Sequence, residues 1–191
     1  MLEVETRNAD PADVASIDAI ITAAYDSISG PPGKRDWNRE RSLFIPGARL
    51  IPTRENAEET SLVGEIAPHI LDIDGFIARV CDYVEKNGFY EKEIARRTEQ
   101  FDQIAHVWST YESRHKADDP EPFMRGINSI QLFYDGSRWW IVSIYWQHES
   151  RGASDSREIS RNRRLRVDER GALESPTNSE RVRYFEIRAG R

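Results

Sequence analysis

The chain has 191 residues, of which 38% are hydrophobic and 31% charged, and its formal net charge is −6. This size predicts one domain with an appendage. The negative charge argues against general affinity for nucleic acid, because binding to phosphate needs a basic surface. A single cysteine, Cys81, excludes an internal disulfide. No apolar run approaches the ~20 residues of a membrane helix, and the N-terminus has no secretory signal pattern. We therefore expect a cytoplasmic protein that binds neither nucleic acid nor membrane.

Charge is distributed unevenly along the chain. Residues 150–191 contain 11 arginines, no lysine and 7 acidic residues, whereas acidic residues exceed basic ones in residues 1–149. Such a break often marks a domain edge, and we place the edge after Glu149. In the Arg-rich extension 150–191, the alternating stretch ERVRYFEIR predicts a strand that adds to a sheet edge. The high charge of the extension fits a mobile, solvated tail equally well.

The first half of the chain is predicted to be mainly helical. A helix begins at Asp10-Pro11, carries an apolar stripe, and ends at Gly30-Pro31-Pro32-Gly33. The stripe consists of Val14, Ile17, Ile21, Tyr25 and Ile28. A short helix over 36–44, a strand over 48–53 and an exposed loop over 54–65 follow. A firmer helix spans 72–86, with Asp72 or Asp74 as cap and Asn87-Gly88 as its end.

The second half is predicted to form strands. A long strand spans 89–101, another spans 104–115, and the last two form a hairpin around Asp135-Gly136. An Asp-Gly pair between aromatic and β-branched runs is typical of such a hairpin. Helices gathered on one side of an antiparallel sheet make an α+β fold. We expect N-terminal helices packed on a strongly curved antiparallel sheet.

Several local strings resemble one known superfamily. The helix end AAYDSI, the passage DW…LFIPGARLI, the helix DGFIARV and the hairpin DGSRWWIVSIYW are together similar to the nuclear transport factor 2-like superfamily, also called the SnoaL-like or cystatin-like cone fold. The resemblance covers residues 11–149. It implies a conical, largely apolar pocket between three helices and a bent sheet, and dimers through the sheet are common in this superfamily. The fold hosts isomerases, dehydratases, cyclases, epoxide hydrolases and non-catalytic modules.

The resemblance suggests some residue roles and removes others. Ketosteroid isomerase-like members carry a tyrosine where Tyr25 stands, and scytalone dehydratase-like members carry a Tyr-Asp pair that Tyr25-Asp26 resembles. The isomerase acids would fall at Pro52-Thr53 and near Ser129, where this chain has no carboxylate. Steroid-type isomerisation is therefore disfavoured.

The candidate catalytic residues are Tyr25, Asp26 and His106. Tyr25 could donate a hydrogen bond to a developing oxyanion, Asp26 could be a base if burial raised its pKa, and His106 could act near neutral pH. Each also has an ordinary structural role. Tyr25 would pack in the core with a satisfied hydroxyl, Asp26 would be a solvated helix residue, and His106 a half-buried strand residue.

The candidate pocket residues are Trp37, Phe44, Trp108, Glu112, Ser129, Gln131 and Trp146. Glu112 shares strand parity with Trp108 and His106, so all three line the pocket if that face is the concave one. The opposite parity presents Val107, Ser109 and Tyr111 instead. A register error of one residue reverses the answer. Because both faces of the final strand are apolar, we also expect a homodimer through the sheet.

Two functions stay open. The first, slightly favoured because the family acids are missing, is a module whose apolar pocket binds a small hydrophobic molecule. The second is an enzyme of dehydratase, isomerase or cyclase type that uses general acid/base proton transfer. No cofactor is expected. A metal is not expected either, since His69, Asp72 and Asp74 do not have the spacing of a zinc or calcium site.

Overall fold

The structure is a computed structural model that describes residues 8–55, 66–149 and 157. The helices of these residues are α1 (Pro11–Val14), α2 (Ile17–Ile28), α3 (Trp37–Ser42) and α4 (Ile73–Asn87). The strands are β1 (Phe44–Glu55), β2 (Ile66–Pro68), β3 (Tyr90–Phe101), β4 (Ile104–Arg114), β5 (Met124–Tyr134) and β6 (Trp139–His148). Most of the predicted loop 54–65 and nearly all of the extension 150–191 lie outside the described residues. The boundary after Glu149 therefore stays a prediction.

The first helical segment is divided into two helices, where the sequence predicts one. Ser16 has an extended backbone, and its hydroxyl oxygen accepts the backbone N–H of Ala19 at 3.0 Å. A serine in this position is an N-cap, so it begins α2 instead of continuing α1. The predicted apolar stripe continues across the break, since its members Val14, Ile21 and Tyr25 are all buried.

The other two helices begin at aspartate caps. Asp36 accepts the backbone N–H groups of Asn38 and Arg39 at the start of α3. Asp72 accepts the N–H of Gly75 at 2.7 Å and begins α4, which confirms the helix predicted over 72–86. In the described part of the chain, no helix is long and apolar enough to cross a membrane.

The strands form one curved sheet in the order β2-β1-β6-β5-β4-β3. Neighbouring strands pair antiparallel, except that β1 pairs with β6 in parallel. The β5–β6 connection is the predicted hairpin: the Asp135 carboxylate accepts the backbone N–H groups of Ser137 and Arg138, and Gly136 has a φ of +99°. The predicted α+β class is thus confirmed, with the parallel β1–β6 pair as an addition.

The two faces of the sheet differ in what covers them. The inner face, which packs towards α2 and α4, includes the alternate residues Val107, Ser109, Tyr111 and Ser113 of β4, all of which are buried. The outer face carries the intervening residues of the same strand, including Ile104, which is 59% exposed. The strand pattern therefore decides which side chains can meet a molecule held between helices and sheet.

Candidate functional site

A cavity of about 790 Å³ lies between α2, α4 and the inner face of the sheet. Its apolar lining includes Leu50, Phe76, Val80, Val84, Phe89, Ile130, Ile144 and Trp146. Its polar lining includes Tyr25, Glu40, Glu91, Tyr111, Asn128 and His148. A volume in this range with few polar groups is typical of small-molecule sites.

The inner face changes from apolar to polar along the strands. One row of register partners across β1, β6, β5 and β4 is wholly apolar: Leu50, Ile144, Ile130 and Val107. The next row is mixed: Pro52, Trp146, Asn128 and Ser109. The row after that is mainly polar: His148, Gly126, Tyr111 and Glu93. A ligand that fills the cavity therefore contacts apolar side chains at one end and hydrogen-bonding groups at the other.

Two carboxyl groups, the buried Glu40 and the half-buried Glu91, belong to the polar end. Burial raises the pKa of Glu40 to about 7, against the hydrogen bond that Ser27 donates to it. Burial also raises the pKa of Glu91 to about 7, against a 2.9 Å hydrogen bond from Ser113, and the negative charge of Glu40 raises it further. Near neutral pH each group can therefore exist with or without its proton, as a general acid or base requires.

The Tyr25 hydroxyl makes two hydrogen bonds with neighbours at the inner face. Its oxygen lies 2.7 Å from the hydroxyl oxygen of Ser109 and accepts the side-chain N–H of Asn128 at 3.0 Å. Burial raises the pKa of Tyr25 well above its usual value, and the charge of Glu91 adds to this effect. The phenol is thus neutral at any physiological pH and acts as a hydrogen-bonding group.

A second tyrosine spans the sheet beside it. Tyr111 on β4 lies over Gly126 on β5 and reaches His148 on β6, with 2.8 Å between its hydroxyl oxygen and the imidazole Nδ1. A Cβ atom on Gly126 would lie 2.5 Å from that hydroxyl oxygen. The glycine is therefore what allows the ring to approach β5 so closely.

The structure places only two of the predicted site residues in the cavity wall, Tyr25 and Trp146. Asp26 is exposed on the other side of α2, because adjacent helix residues point in different directions. Trp37 is half-buried at the start of α3 and Phe44 belongs to the hydrophobic core. Neither of these two lines the cavity.

The other predicted residues lie on the outer face. They are His106, Trp108, Glu112, Ser129 and Gln131, and none of them lines the cavity. The pocket wall predicted from them is corrected to the opposite strand parity. Since Val107, Ser109 and Tyr111 are the residues packed inward, the alternative parity holds.

These outer residues make their own contacts. His106 Nε2 lies 2.9 Å from the Ser129 hydroxyl oxygen, and burial lowers the pKa of His106. Although burial acts to raise it, Arg114 and Arg125 hold the pKa of Glu112 below its usual value. Both arrangements lie on the side of the sheet that faces away from the cavity.

Sequence reasoning missed the residues that give the cavity its chemistry. Glu40 lies in a short polar helix, where a glutamate is expected to face solvent. Glu91 lies near the start of β3, a strand whose alternation is imperfect. Tyr111 was recognisable from its parity with Val107 and Ser109, once the inward face was known. Gly126, which lies opposite Tyr111, offered the one local signal, because a glycine within a strand often marks a close approach.

Comparisons with known proteins support the fold. No model of a known protein family matches the chain, and no curated protein matches it. A Nostoc punctiforme protein of unknown function with a cystatin-like fold aligns with a TM-score of 0.52 and 12% identity, over 71% of this chain and 90% of that one. A Kribbella flavida protein aligns with a TM-score of 0.51 and 12% identity over 71% and 90% of the two chains. For LinA the TM-score is 0.51 and the identity 9%, over 71% and 85%. At these identities the likeness shows the cystatin-like fold alone.

Proposed function

We propose that this chain, which has the cystatin-like fold, is an enzyme that transfers protons on a small, mainly apolar substrate held in the cavity. The reaction would be of dehydratase, isomerase or cyclase type. One observation carries the proposal: two carboxyl groups, the buried Glu40 and the half-buried Glu91, line one cavity, and the pKa of each is raised to about 7. Titratable groups with shifted pKa values in a cleft are typical of active sites.

Glu91 is the better placed of the two to exchange protons with a substrate. Glu40 is only 3% exposed, and its carboxyl accepts a hydrogen bond from Ser27. Glu91 is half-buried, and Ser113 holds one of its oxygens. In the proposed mechanism Glu91 takes a proton from the substrate and returns it at another position. Burial keeps the pKa of Glu91 near neutrality, and the negative charge of Glu40 raises it further.

The apolar wall fits the substrate class. Phe76 and Trp146 meet edge to face, with 6.0 Å between their ring centroids, and form part of a wall that would contact the body of a ligand. Such contacts select by shape and hydrophobicity. The polar groups then orient one end of the molecule towards the carboxyl groups.

The test is proton exchange in deuterium oxide. Small cyclic ketones and hydroxylated aromatics are incubated with the protein, and deuterium uptake or loss of water is read by mass spectrometry. We expect Glu91→Gln to reduce the rate at least about a hundredfold, in the range of a lost general base. Glu99→Gln changes an exposed glutamate of the same strand and should keep the wild-type rate. Equal rates in wild type and Glu91→Gln would contradict the proposal.

A non-catalytic binding module is the second candidate, because much of the cavity lining is apolar. The two candidates differ in what Glu91→Gln does. In a binding module the substitution would change the affinity for a ligand without any turnover to lose. Calorimetric binding combined with the exchange assay separates the two.

We further propose that the protein is a homodimer that pairs through the outer face. Ile104 and Tyr145 are 59% and 45% exposed on this face. Trp108 is half-buried, follows Ile104 on β4, and lies in the same register row as Tyr145, with Ser129 of β5 between them. Large apolar side chains grouped on a sheet surface favour a partner.

A further inference from the structure

A chain of hydrogen bonds runs from the protein surface to the cavity wall. Arg96 donates to both carboxylate oxygens of Glu93 at 2.9 Å, and a second guanidinium nitrogen lies 2.7 Å from the same group. Ser109 donates its hydroxyl to Glu93. The Ser109 oxygen lies 2.7 Å from the Tyr25 oxygen, which accepts an N–H of Asn128.

An irregularity in β3 makes this arrangement possible. The register with β4 shifts between Glu93 and Ala95, so that Ile94 is an extra residue. A bulge of this kind reverses which side chains point to a given face. Glu93 and Arg96 therefore meet on the same face, although they are three residues apart. Without the bulge, strict alternation would place these two side chains on opposite faces.

The direction of each hydrogen bond in this network follows from the charged group at its outer end, Glu93. Both oxygens of Glu93 accept hydrogen bonds from the Arg96 guanidinium, and a carboxylate paired in this way can only accept. Ser109 must then donate its single hydroxyl proton to Glu93. Consequently Ser109 can only accept from Tyr25, whose proton points at Ser109. Asn128 occupies one lone pair of the phenol oxygen, and the other lone pair is what remains for a ligand.

We propose that Glu93, acting through Ser109, turns the Tyr25 proton away from the cavity, so that Tyr25 accepts a hydrogen bond from the ligand. The cavity would therefore select a molecule whose polar group is a donor, an alcohol or an amine, over a ketone of the same shape. This inference deepens the proposed function and rests on a ligand occupying the same cavity. Glu93 is a positioning residue here, since it acts through Ser109.

This assignment reverses the role that the sequence suggests for Tyr25. An oxyanion needs a hydrogen-bond donor. Tyr25 cannot donate to a ligand while it donates its proton to Ser109. A ketone carbonyl placed against the phenol oxygen would put two acceptors together, and a buried acceptor left without a donor is costly.

The position of the proton can be read without any ligand. A neutron crystal structure of the protein in deuterium oxide should show the Tyr25 deuteron on the line to the Ser109 oxygen, and the Ser109 deuteron on the line to Glu93. A Tyr25 deuteron directed into the cavity would overturn the inference, whether or not the protein proves to be an enzyme.

The selectivity is tested with three molecules of one shape: the amine, the alcohol and the ketone of indane, each substituted at the benzylic carbon. Calorimetric titration of the wild-type protein should give affinities for the amine and the alcohol that exceed that of the ketone by at least about tenfold, the effect of one unmatched buried hydrogen bond. A ketone that binds as tightly as the alcohol would contradict the proposal.

Two variants connect the selectivity to Glu93. In Glu93→Gln the amide can donate to Ser109, which frees the Ser109 proton for Tyr25 and the Tyr25 proton for the cavity. In Ser109→Ala the acceptor itself is removed. Both should reduce the preference for the alcohol over the ketone to less than about threefold, and Glu99→Gln should leave it unchanged. A merely structural role would weaken all three ligands equally, and that result would refute the assignment.

The two proposals fail separately. Suppose that Glu91→Gln exchanges protons like the wild type while the neutron structure and the indane series behave as expected. Catalysis by Glu91 is then wrong, and the role of Tyr25 as a hydrogen-bond acceptor is supported. If exchange depends on Glu91 but the Tyr25 deuteron faces the cavity, the reverse holds.

Discussion

At the scale of single residues, the chemistry of the cavity depends on carboxyl groups that are kept from water. Glu40 and Glu91 have a usual pKa of 4.5 and a pKa of about 7 in the folded protein. Between these values the folded protein keeps protons that the unfolded chain releases. Stability must therefore fall as the pH rises through this window, and be greatest below it.

The substitution Glu40→Gln tests this dependence. Each unit of pKa is worth about 1.4 kcal/mol, so a shift from 4.5 to about 7 costs roughly 3 kcal/mol of stability once the group is ionised. The variant should be more stable than wild type by up to roughly this amount at about pH 8, and similar to wild type at about pH 4. Urea unfolding at both pH values measures the difference. A wild-type stability that does not change between them would show that the carboxyl groups are not shifted.

Sequence reasoning at this scale found Tyr25 and Trp146 because both stand on recognisable stripes. It could not find Glu40 or Glu91, because burial of a glutamate depends on what other elements pack against it. It also assigned Tyr25 the role of donor. The direction of its hydrogen bond depends on Glu93, more than sixty residues away in the chain.

At the scale of elements, the parity of the strands decides the site. The sequence left two parities of β4 open, and the structure packs the face of Val107 and Tyr111 inward. The apolar content of the two faces of β6 is too similar for either to be chosen from the sequence. The bulge at Ile94 could not be predicted from the sequence either, since no residue type at this position indicates it.

The close approach of Tyr111 on β4 and Gln147 on β6 to Gly126 on β5 gives a prediction at this scale. A Cβ atom at position 126 would lie 2.5 Å from both the Tyr111 hydroxyl oxygen and the Gln147 carbonyl oxygen. We expect Gly126→Ala to lower the free energy of unfolding by about 1–3 kcal/mol, because the tyrosine must leave its position.

The control for this prediction is Gln131→Ala. Gln131 is exposed on the outer face of β5, and its replacement should change stability by less than about 0.5 kcal/mol. Thermal unfolding of both variants checks the pair. A Gly126→Ala protein as stable as wild type would mean that Tyr111 is not confined against that strand.

At the scale of the whole molecule, the sequence predicted the fold well. The Asp135-Gly136 hairpin, the capped helix α4 and the four consecutive antiparallel strands are all local or nearly local patterns. The parallel pairing of β1 with β6 joins segments about a hundred residues apart, and no local pattern encodes it. The role of the extension 150–191 stays a prediction.

The proposed dimer gives a prediction at the same scale. Light scattering after size-exclusion chromatography should give twice the chain mass for wild type. Tyr145→Lys should give the chain mass, because it places a charge in the proposed interface. Ile70→Lys, at a residue that is 64% exposed outside the six strands, should remain dimeric. A monomeric wild type would contradict the pairing.

The central claim is that the cavity holds two carboxyl groups that titrate near neutrality. Infrared titration in deuterium oxide measures this directly through the stretching band of protonated carboxyl groups. We predict a band that persists at about pH 6, where ordinary glutamates are ionised, and that disappears through about pH 7 to 8. Glu40→Gln and Glu91→Gln should each remove part of it. A spectrum with no protonated carboxyl left at about pH 6 would contradict the account.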